Sequence, residues 1–218
     1  MPSAGDGDED RNGFYAAGFW GGRGEVLDRA AQRLKRFLDQ LGVVHPLLAT
    51  WYFGVDREGA PRIAIPRSEA GLRELIVEGR APEGLPTKDP TELDAIVGAW
   101  AGDYSVSAGF TVRLGWTSER VGNAVVLNLP GALDSEFGDL ARSRSLIDAI
   151  VSSWDPDRAV FRPHDAFRKD APPIQPGEVI RHEKFWKRFP DWIAYKRGQP
   201  LELGGPFKGT GLLETTPD

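Results

Sequence analysis

The sequence FTVRLGWTSERVGNAVVLNL, residues 110–129, contains the two clearest strands of the chain. In its first part, Phe110, Val112 and Leu114 alternate with small or polar residues, a pattern typical of a strand with one solvated face. Residues 124–129, AVVLNL, predict a second strand, and the polar segment Thr117–Gly122 predicts a hairpin loop between the two. Strands joined by a hairpin run antiparallel, so the sequence favours an antiparallel sheet.

Helices and further strands are expected on both sides of this hairpin. Residues 13–20, GFYAAGFW, predict a short buried strand that ends at Trp20. Apolar residues at helical spacing predict one helix from Glu25 to Leu41, stopped by Gly42, and another over Arg144–Trp154. The remaining expectations are a Ser68-capped helix through Val77, an ambiguous element over 93–100, and short strands over 159–162, 192–195 and 211–214.

The segment HPLLATWY, which begins at His45, predicts a short helical turn with Trp51 and Tyr52 packed inward. Loops are expected over 80–90 and 171–178, and a short helix over 182–189. Helices and strands mix here without regular βαβ alternation. The predicted fold is therefore α+β, a mostly antiparallel sheet with helices packed on one side. We expect residues 13–218 to form a single domain, preceded by a disordered acidic tail over 1–12.

Composition excludes several classes of protein. The chain has 218 residues and no cysteine, which excludes disulfide frameworks and thiolate metal sites. Its formal net charge of −5 argues against a general nucleic-acid binder. No apolar run is long enough for a membrane helix, and residues 1–12 lack the features of a secretory signal. The sequence thus predicts a cytoplasmic protein that contacts neither a membrane nor nucleic acid.

Charge is unevenly distributed along the sequence. Residues 80–157 carry six bases and twelve acids, whereas residues 158–200 carry ten bases and five acids. The two blocks either pair with each other after folding or leave an acidic surface for a basic partner.

Enzyme motifs are missing from the sequence. His45, His164 and His182 form no metal-binding pair, and neither a nucleophile elbow nor a phosphate-binding loop is present. No lysine has an acid two residues before it, as a restriction-type nuclease site requires. We therefore expect no catalytic residue, no metal site and no cofactor. One alternative remains open, a hydrolase with an unrecognised site among Arg162, His164, Asp165 and Glu183.

Seven tryptophans are present, and most of them fall at the ends of predicted elements. For five of them we expect core packing, because each ring brings a large apolar area: Trp20, Trp51, Trp100, Trp116 and Trp154. Trp186 and Trp192 lie in the basic block instead, and they are candidates for exposed aromatic anchors.

Five segments in order resemble the bacterial Immunity protein 52 (Imm52) family of polymorphic toxin systems. They are FYAAGFWGGRGE, HPLLATWY, GLRELIVEGR, NAVVLNLP and IVSSWDPDRAVF, which together span residues 14–161. The residues that match the family pattern are Trp20 and Gly21; His45 and Pro46; Trp51 and Tyr52; and Trp154 and Pro156 with the two adjoining aspartates. The C-terminal 50 residues match this pattern loosely.

The resemblance implies a protein that binds and neutralises a cognate toxin without catalysis. Such toxins are encoded by an adjacent gene and delivered between bacteria by contact-dependent or type VI secretion. The usual partner of this family is a nuclease of the restriction-endonuclease-like class (Tox-REase-5), which acts in the cytoplasm. An adaptor that binds another secretion-system component is the alternative, and the resemblance leaves a homodimer open.

A nuclease binds DNA through a basic groove, and an inhibitor can present carboxylates at the positions of the phosphates. Acidic residues expected in loops are therefore candidates for toxin binding: Asp103, Glu119, Asp134, Glu136, Asp155 and Asp157. The competing interpretation is that these residues cap helices and turns, and it applies most strongly to Asp155, which ends a predicted helix. A tight interface also needs apolar anchors, which the sequence does not identify.

Overall fold

Nine strands form one antiparallel sheet in the computed structural model, which describes residues 13–53, 59, 61–79, 93–103, 105–116, 122–164 and 191–209. The strands are β1 (Phe14–Trp20), β2 (Trp51–Phe53), β3 (Ile63–Ala64), β4 (Ala95–Gly102), β5 (Ser107–Leu114), β6 (Asn123–Leu129), β7 (Arg158–Pro163), β8 (Ile193–Lys196) and β9 (Glu202–Leu203). Their order in the sheet is β3-β2-β4-β5-β6-β1-β7-β8-β9. The helices are α1 (Leu27–Val44), α2 (Glu69–Glu78), α3 (Asp134–Phe137) and α4 (Leu140–Trp154).

The α+β prediction is confirmed by this single sheet with its helices. The N-terminal strand β1 lies in the sheet interior, between β6 and β7. The element that follows β1 is helix α1, and the strands that pair with β1 come more than 100 residues later in the chain. The predicted hairpin is present as β5 and β6, in which Phe110 pairs with Leu127 and Val112 with Val125.

One face of the sheet is covered by helices. Phe110 of β5 meets Phe37 of α1 with ring centroids 6.0 Å apart, and Gly18 of β1 lies against Ile150 of α4. Side chains alternate accordingly, since Phe110, Val112 and Leu114 are buried while Thr111 between them is exposed. The period-two pattern of the sequence therefore reports the helix-covered face correctly.

A chain of aromatic rings runs through this core beneath α1. Trp20 stacks on Trp154 at 5.9 Å, and Trp154 meets Phe37 at 6.0 Å. Phe37 contacts Phe110, which in turn meets Trp51 at 4.8 Å. Edge-to-face and offset-stacked pairs of this kind stabilise a core beyond the area they bury, by about 0.5–1.5 kcal/mol each. The five rings come from four different elements and a helix end, so they tie the layers together.

The expected end of α1 and the element expected around Trp51 are wrong. Gly42 does not stop α1, which continues to Val44, because Pro46 forces the residue before it out of the helical region. His45 accordingly has φ −155° and ψ 138°. The turn after it is a 3₁₀ helix over Pro46–Ala49, and Trp51–Phe53 is a strand, with Trp51 buried and Tyr52 only half-buried.

Other segments differ from expectation in smaller ways. The ambiguous segment 93–100 contributes strand β4, and the short elements β3, β9 and α3 were not predicted from the sequence. Trp192 is not an exposed anchor, because its ring packs against Phe14 at 5.2 Å and Phe207 at 5.5 Å. Several expectations lie outside the described residues: the 1–12 tail, the 80–90 and 171–178 loops, most of the 117–122 loop, the 182–189 helix, the 211–214 strand and Trp186.

The turn after β5 depends on a glycine. Gly115 has φ +80°, and a Cβ built on it would lie 1.2 Å from the carbonyl oxygen of Leu93. Only glycine combines this backbone conformation with such a close approach. We expect Gly115→Ala to lower the free energy of unfolding by at least about 2 kcal/mol.

Gly24→Ala is the matched control, because a Cβ there meets nothing within 4 Å. Urea unfolding of the two variants measures the difference. Equal midpoints for both would contradict the close approach at Gly115.

Candidate functional site

The predicted acidic residues lie at two opposite ends of the sheet. Asp103 follows β4, and Asp134 and Glu136 lie in α3 just after β6; the register places the ends of β4 and β6 at the same edge. We call Asp103, Asp134 and Glu136 the acidic end. Asp155 and Asp157 lie between α4 and β7, at the opposite edge, where β1 finishes. Glu119 is outside the described residues. The six therefore do not form one surface.

Asp103 shapes the turn between β4 and β5. Its Oδ1 accepts hydrogen bonds from the Ser105 amide at 3.0 Å, the Ser105 hydroxyl at 2.7 Å and the Val106 amide at 2.9 Å. The Ser105 hydroxyl is the main reason that the pKa of Asp103 falls below its ordinary value. The carboxylate is exposed and fully ionised at neutral pH, and its orientation is fixed by the turn.

The Glu136 carboxylate accepts hydrogen bonds from both His45 and Arg142. Its Oε2 lies 2.8 Å from His45 Nε2 and 2.8 Å from Arg142 Nη1. The Leu47 amide donates to His45 Nδ1 at 3.1 Å, so His45 carries its proton on Nε2 and donates it to Glu136. This hydrogen bond is the largest cause of the lowered pKa of Glu136.

The third acidic-end residue, Asp134, is exposed in the first turn of α3. A carboxylate there is favoured by the helix dipole. The acidic end thus presents three carboxylates on a frame of short turns.

At the opposite end of the sheet, arginines cap the C-terminus of α4. Arg23 Nη2 donates to the carbonyl of Trp154 at 2.8 Å, and Arg33 Nη1 donates to the same oxygen at 3.2 Å. Two further carbonyls of this turn accept from Arg36 and Arg197. The last carbonyls of a helix lack intrahelical partners, and cations there interact favourably with the dipole. These guanidinium groups therefore stabilise the end of α4.

Asp155 and Asp157 belong to this arginine cap. Asp155 ends α4 in the left-handed conformation, with φ 47°, and pairs with Arg23 at 3.8 Å and Arg197 at 3.3 Å. Asp157 pairs with Arg197 at 3.3 Å, and its Oδ2 accepts the Gly21 amide at 2.9 Å. Both carboxylates are thus engaged by their own chain, the arrangement that the capping interpretation describes.

Two of the family-motif segments meet at this end. Trp20 and Trp154 stack with an interplanar angle of 11°, while Gly21 and Asp157 are joined by the hydrogen bond above. Pro156 packs beside Gly18, where a Cβ would lie 3.3 Å from the proline ring. Segments more than 130 residues apart in sequence therefore form one packed junction.

The family-motif segment that begins at His45 lies at the acidic end. His45 caps the 3₁₀ turn that begins at Pro46, and its ring also packs on Phe137 at 5.1 Å. The Trp51 indole donates to the Leu48 carbonyl at 2.8 Å, which joins this turn to β2. Tyr52 is placed on the other face of the sheet, where its ring lies 5.0 Å from Trp100.

A buried ionic cluster lies where the hydrolase alternative was expected. The Arg162 side chain is 1% exposed, lies 3.6 Å from Asp191 and stacks over Tyr15 at 5.4 Å. Arg158 pairs with Asp191 at 2.8 Å, and the His164 ring meets Tyr15 at 6.0 Å. Asp165 and Glu183 lie outside the described residues.

Burial controls the titration of this cluster. Desolvation lowers the pKa of Arg162 and raises that of Asp191, in each case against the pull of its partner. Tyr15, Arg158 and Asp191 were not singled out from the sequence, although the register that pairs Tyr15 with Arg162 follows from the sheet order. Within the described ranges, no group of three or more His, Asp or Glu side chains is arranged to hold a metal ion.

Burial also raises the pKa of Tyr15 to about 12. We expect Tyr15 to ionise near pH 12, and Tyr15→Phe to remove that transition from a phenolate absorbance titration. Because the folded pKa lies above the ordinary value of 10.0, stability should fall as pH rises from about 10 to 12. A titration of Tyr15→Phe identical in shape to the native one would contradict this placement.

Comparison with known families gives a match to the model described as Immunity protein 52, over residues 12–195. The chain belongs to the Immunity protein 52 family. The resemblance inferred from the motifs is thereby confirmed, and it covers the whole described sheet up to β8. No curated protein matches the sequence.

Among solved structures, the Pseudomonas aeruginosa T6SS protein PA0821 is similar, with a TM-score of 0.40 and 11% identity. The alignment covers 70% of this chain and spans 40% of the length of that protein. Of the helices in the described part of this Immunity protein 52 chain, none has the length and apolar character needed to cross a membrane.

Proposed function

We propose that this Immunity protein 52 chain binds a cognate toxin, encoded by an adjacent gene, and neutralises it by direct contact without catalysis. The observation that carries the proposal is the family match over residues 12–195. The toxin is proposed to be a nuclease of the restriction-endonuclease-like class, delivered between bacteria by a type VI or contact-dependent system. Toxin and inhibitor would then meet in the cytoplasm.

The acidic end is the part of the molecule best suited to a basic groove. Both hydrogen bonds given above for Glu136 use Oε2, and all three for Asp103 use Oδ1. The second oxygen of each carboxylate can therefore accept from a lysine or arginine of the toxin. Carboxylates oriented before binding lose little freedom when they pair, and their charge accelerates association with a cationic surface.

Asp155 and Asp157 are assigned to folding in this proposal. Their ion pairs with Arg23 and Arg197 neutralise them locally, so they add little to the field that a toxin would meet. This assignment narrows the candidate carboxylates from six to three described ones: Asp103, Asp134 and Glu136.

Neutralising the acidic end should weaken toxin binding without unfolding the protein. The triple variant Asp103→Asn, Asp134→Asn, Glu136→Gln keeps an oxygen acceptor at each position and removes three charges. We expect its Kd for the purified toxin to rise at least roughly tenfold, with most of the change in the association rate. The kinetics of binding to surface-bound toxin, recorded over a series of salt concentrations, measure the Kd and the association rate.

A matched control removes three charges from the exposed face of α2: Glu69→Gln, Glu74→Gln, Glu78→Gln. This control should bind the toxin as the native chain does. Equal Kd values for the native chain and the acidic-end variant would remove the acidic end from the interface while leaving the toxin-binding function itself in place.

The position of the acidic end relative to the nuclease site determines how inhibition works. If Asp103, Asp134 and Glu136 occupy the DNA groove, the inhibited toxin should fail to bind duplex DNA. Normal DNA binding by the inhibited toxin would instead place the inhibitor beside the groove.

A further inference from the structure

The face of the sheet opposite the helices is open over its β4–β5–β6 part. Register brings ten positions to this side, and we call them the open face: Tyr52 of β2; Ile96, Gly98 and Trp100 of β4; Gly109, Thr111 and Arg113 of β5; Ala124, Val126 and Asn128 of β6. Gly98, Thr111 and Asn128 are exposed, and Ile96 is 43% exposed. The described helices cover the other face, and these four positions of the open face are exposed to solvent.

An aromatic and cationic cluster stands at one corner of the open face. The rings of Tyr52 and Trp100 lie 5.0 Å apart, and the Arg62 guanidinium lies over both, at 5.8 Å and 5.5 Å. The Trp100 indole is anchored by a hydrogen bond to the Phe53 carbonyl at 3.3 Å. Trp100 itself is 8% exposed, so it supports the half-buried Tyr52 ring and the exposed Arg62 side chain. Tyrosine and arginine are prominent among the residues that dominate the binding energy of protein interfaces, and here both are positioned before any partner arrives.

Two glycines keep the centre of the open face flat. A Cβ built on Gly98 would lie 3.5 Å from its nearest neighbouring atom, and one on Gly109 would lie 3.9 Å away, both ordinary distances. Neither position has a positive φ, so neither the backbone nor the packing of this chain requires glycine. Gly109 pairs with Trp100, whose ring lies 5.0 Å from that of Tyr52, and Gly109 itself is partly exposed. Glycines inside strands often mark the close approach of another backbone.

Charge on the open face has the opposite sign to that of the whole chain. On this side of β4, β5 and β6, Arg113 is the ionisable residue, and the other positions of the three strands are neutral. Its guanidinium stacks on Trp116 at 5.8 Å, and its buried Nε has no hydrogen-bond partner among the described residues. Arg62 adds a second cation at the corner, with Asp103 of the acidic end in electrostatic range. A chain of net charge −5 thus presents a cationic, flat, partly apolar surface.

We propose that the open face is where the toxin docks, and that the docking element is a flat segment carrying carboxylates opposite Arg113 and Arg62. The inference rests on the proposed function, since it takes the toxin as the partner. Backbone atoms of the toxin approach Gly98 and Gly109, while Tyr52 and Arg62, which lie against Trp100, supply the anchors. Asp103 lies at the edge of the open face, so one toxin contacts this surface and the acidic end together.

A valine at Gly98 separates binding from folding. Valine favours strands and fits the space at this position, so Gly98→Val should leave the midpoint of thermal unfolding unchanged or raise it. The added side chain projects from the open face and holds the toxin away. We expect the Kd for the purified toxin of the adjacent gene to rise at least tenfold, while Gly24→Val, in a turn with open space, binds as the native chain does.

Charge is tested in parallel with Arg62→Gln, Arg113→Gln, against the control Arg29→Gln, Arg144→Gln on the helical layer. The open-face pair should weaken toxin binding at least tenfold and the control pair should not. If the native chain binds the toxin and all four variants bind equally well, the open face is not the docking site, although the proposed function stands. If the native chain does not bind the toxin at all, both proposals are overturned.

Duplex DNA is the remaining probe, because cationic faces also attract phosphates. The native chain alone should not bind it. Binding of DNA that Arg62→Gln, Arg113→Gln abolishes would overturn the assignment of this surface to a protein partner.

Discussion

The packing of α4 against β1 is the constraint on which the rest of the structure depends. Gly18 lets the helix approach the strand closely enough for Ile150 to fill the space of a side chain, and Trp20 stacks on Trp154 one turn further on. Because β1 is interior to the sheet, both β6 and β7 depend on it for their pairing. Arg23 from the loop after β1, Arg33 from α1 and Arg197 from the turn between β8 and β9 donate hydrogen bonds to carbonyls at the end of α4. Two segments of the family motif, around Trp20 and around Trp154, thus describe this junction.

This dependence explains which parts of the fold the sequence predicts. Helices α1 and α4 and strands β1, β5 and β6 carry periodic apolar residues, since each has one side against a common core. Strands β3 and β9 have two residues each, too few to show any period, and they exist because a longer neighbour offers them hydrogen bonds. Residues 93–100 resisted assignment because Ala95, Gly98 and Ala99 interrupt the strand-favouring residues of this segment.

The candidate site was harder to predict for a physical reason. Acidic residues were selected by their place in loops, but sequence carries no record of which loops meet an arginine from elsewhere. Asp155 and Asp157 meet Arg23 and Arg197, whereas Asp103 bonds to its own turn and keeps its charge outward. Trp100 was expected in the core, and it is indeed 8% exposed, yet it lies on the face without helices. Only the strand register shows which face of the sheet Trp100 occupies.

Function and fold therefore use different residues of the same chain. The motif tryptophans and aspartates hold the layers together, and the proposals place partner recognition at the acidic end and the open face instead. The central claim, that the protein acts by covering a toxin, is tested most directly by titrating a fixed amount of purified toxin with the purified chain. The account predicts that toxin activity falls linearly to an end point at equimolar chain and does not change with longer incubation. Complete inactivation of the toxin by a small fraction of an equivalent, progressing with time, would show turnover and contradict it.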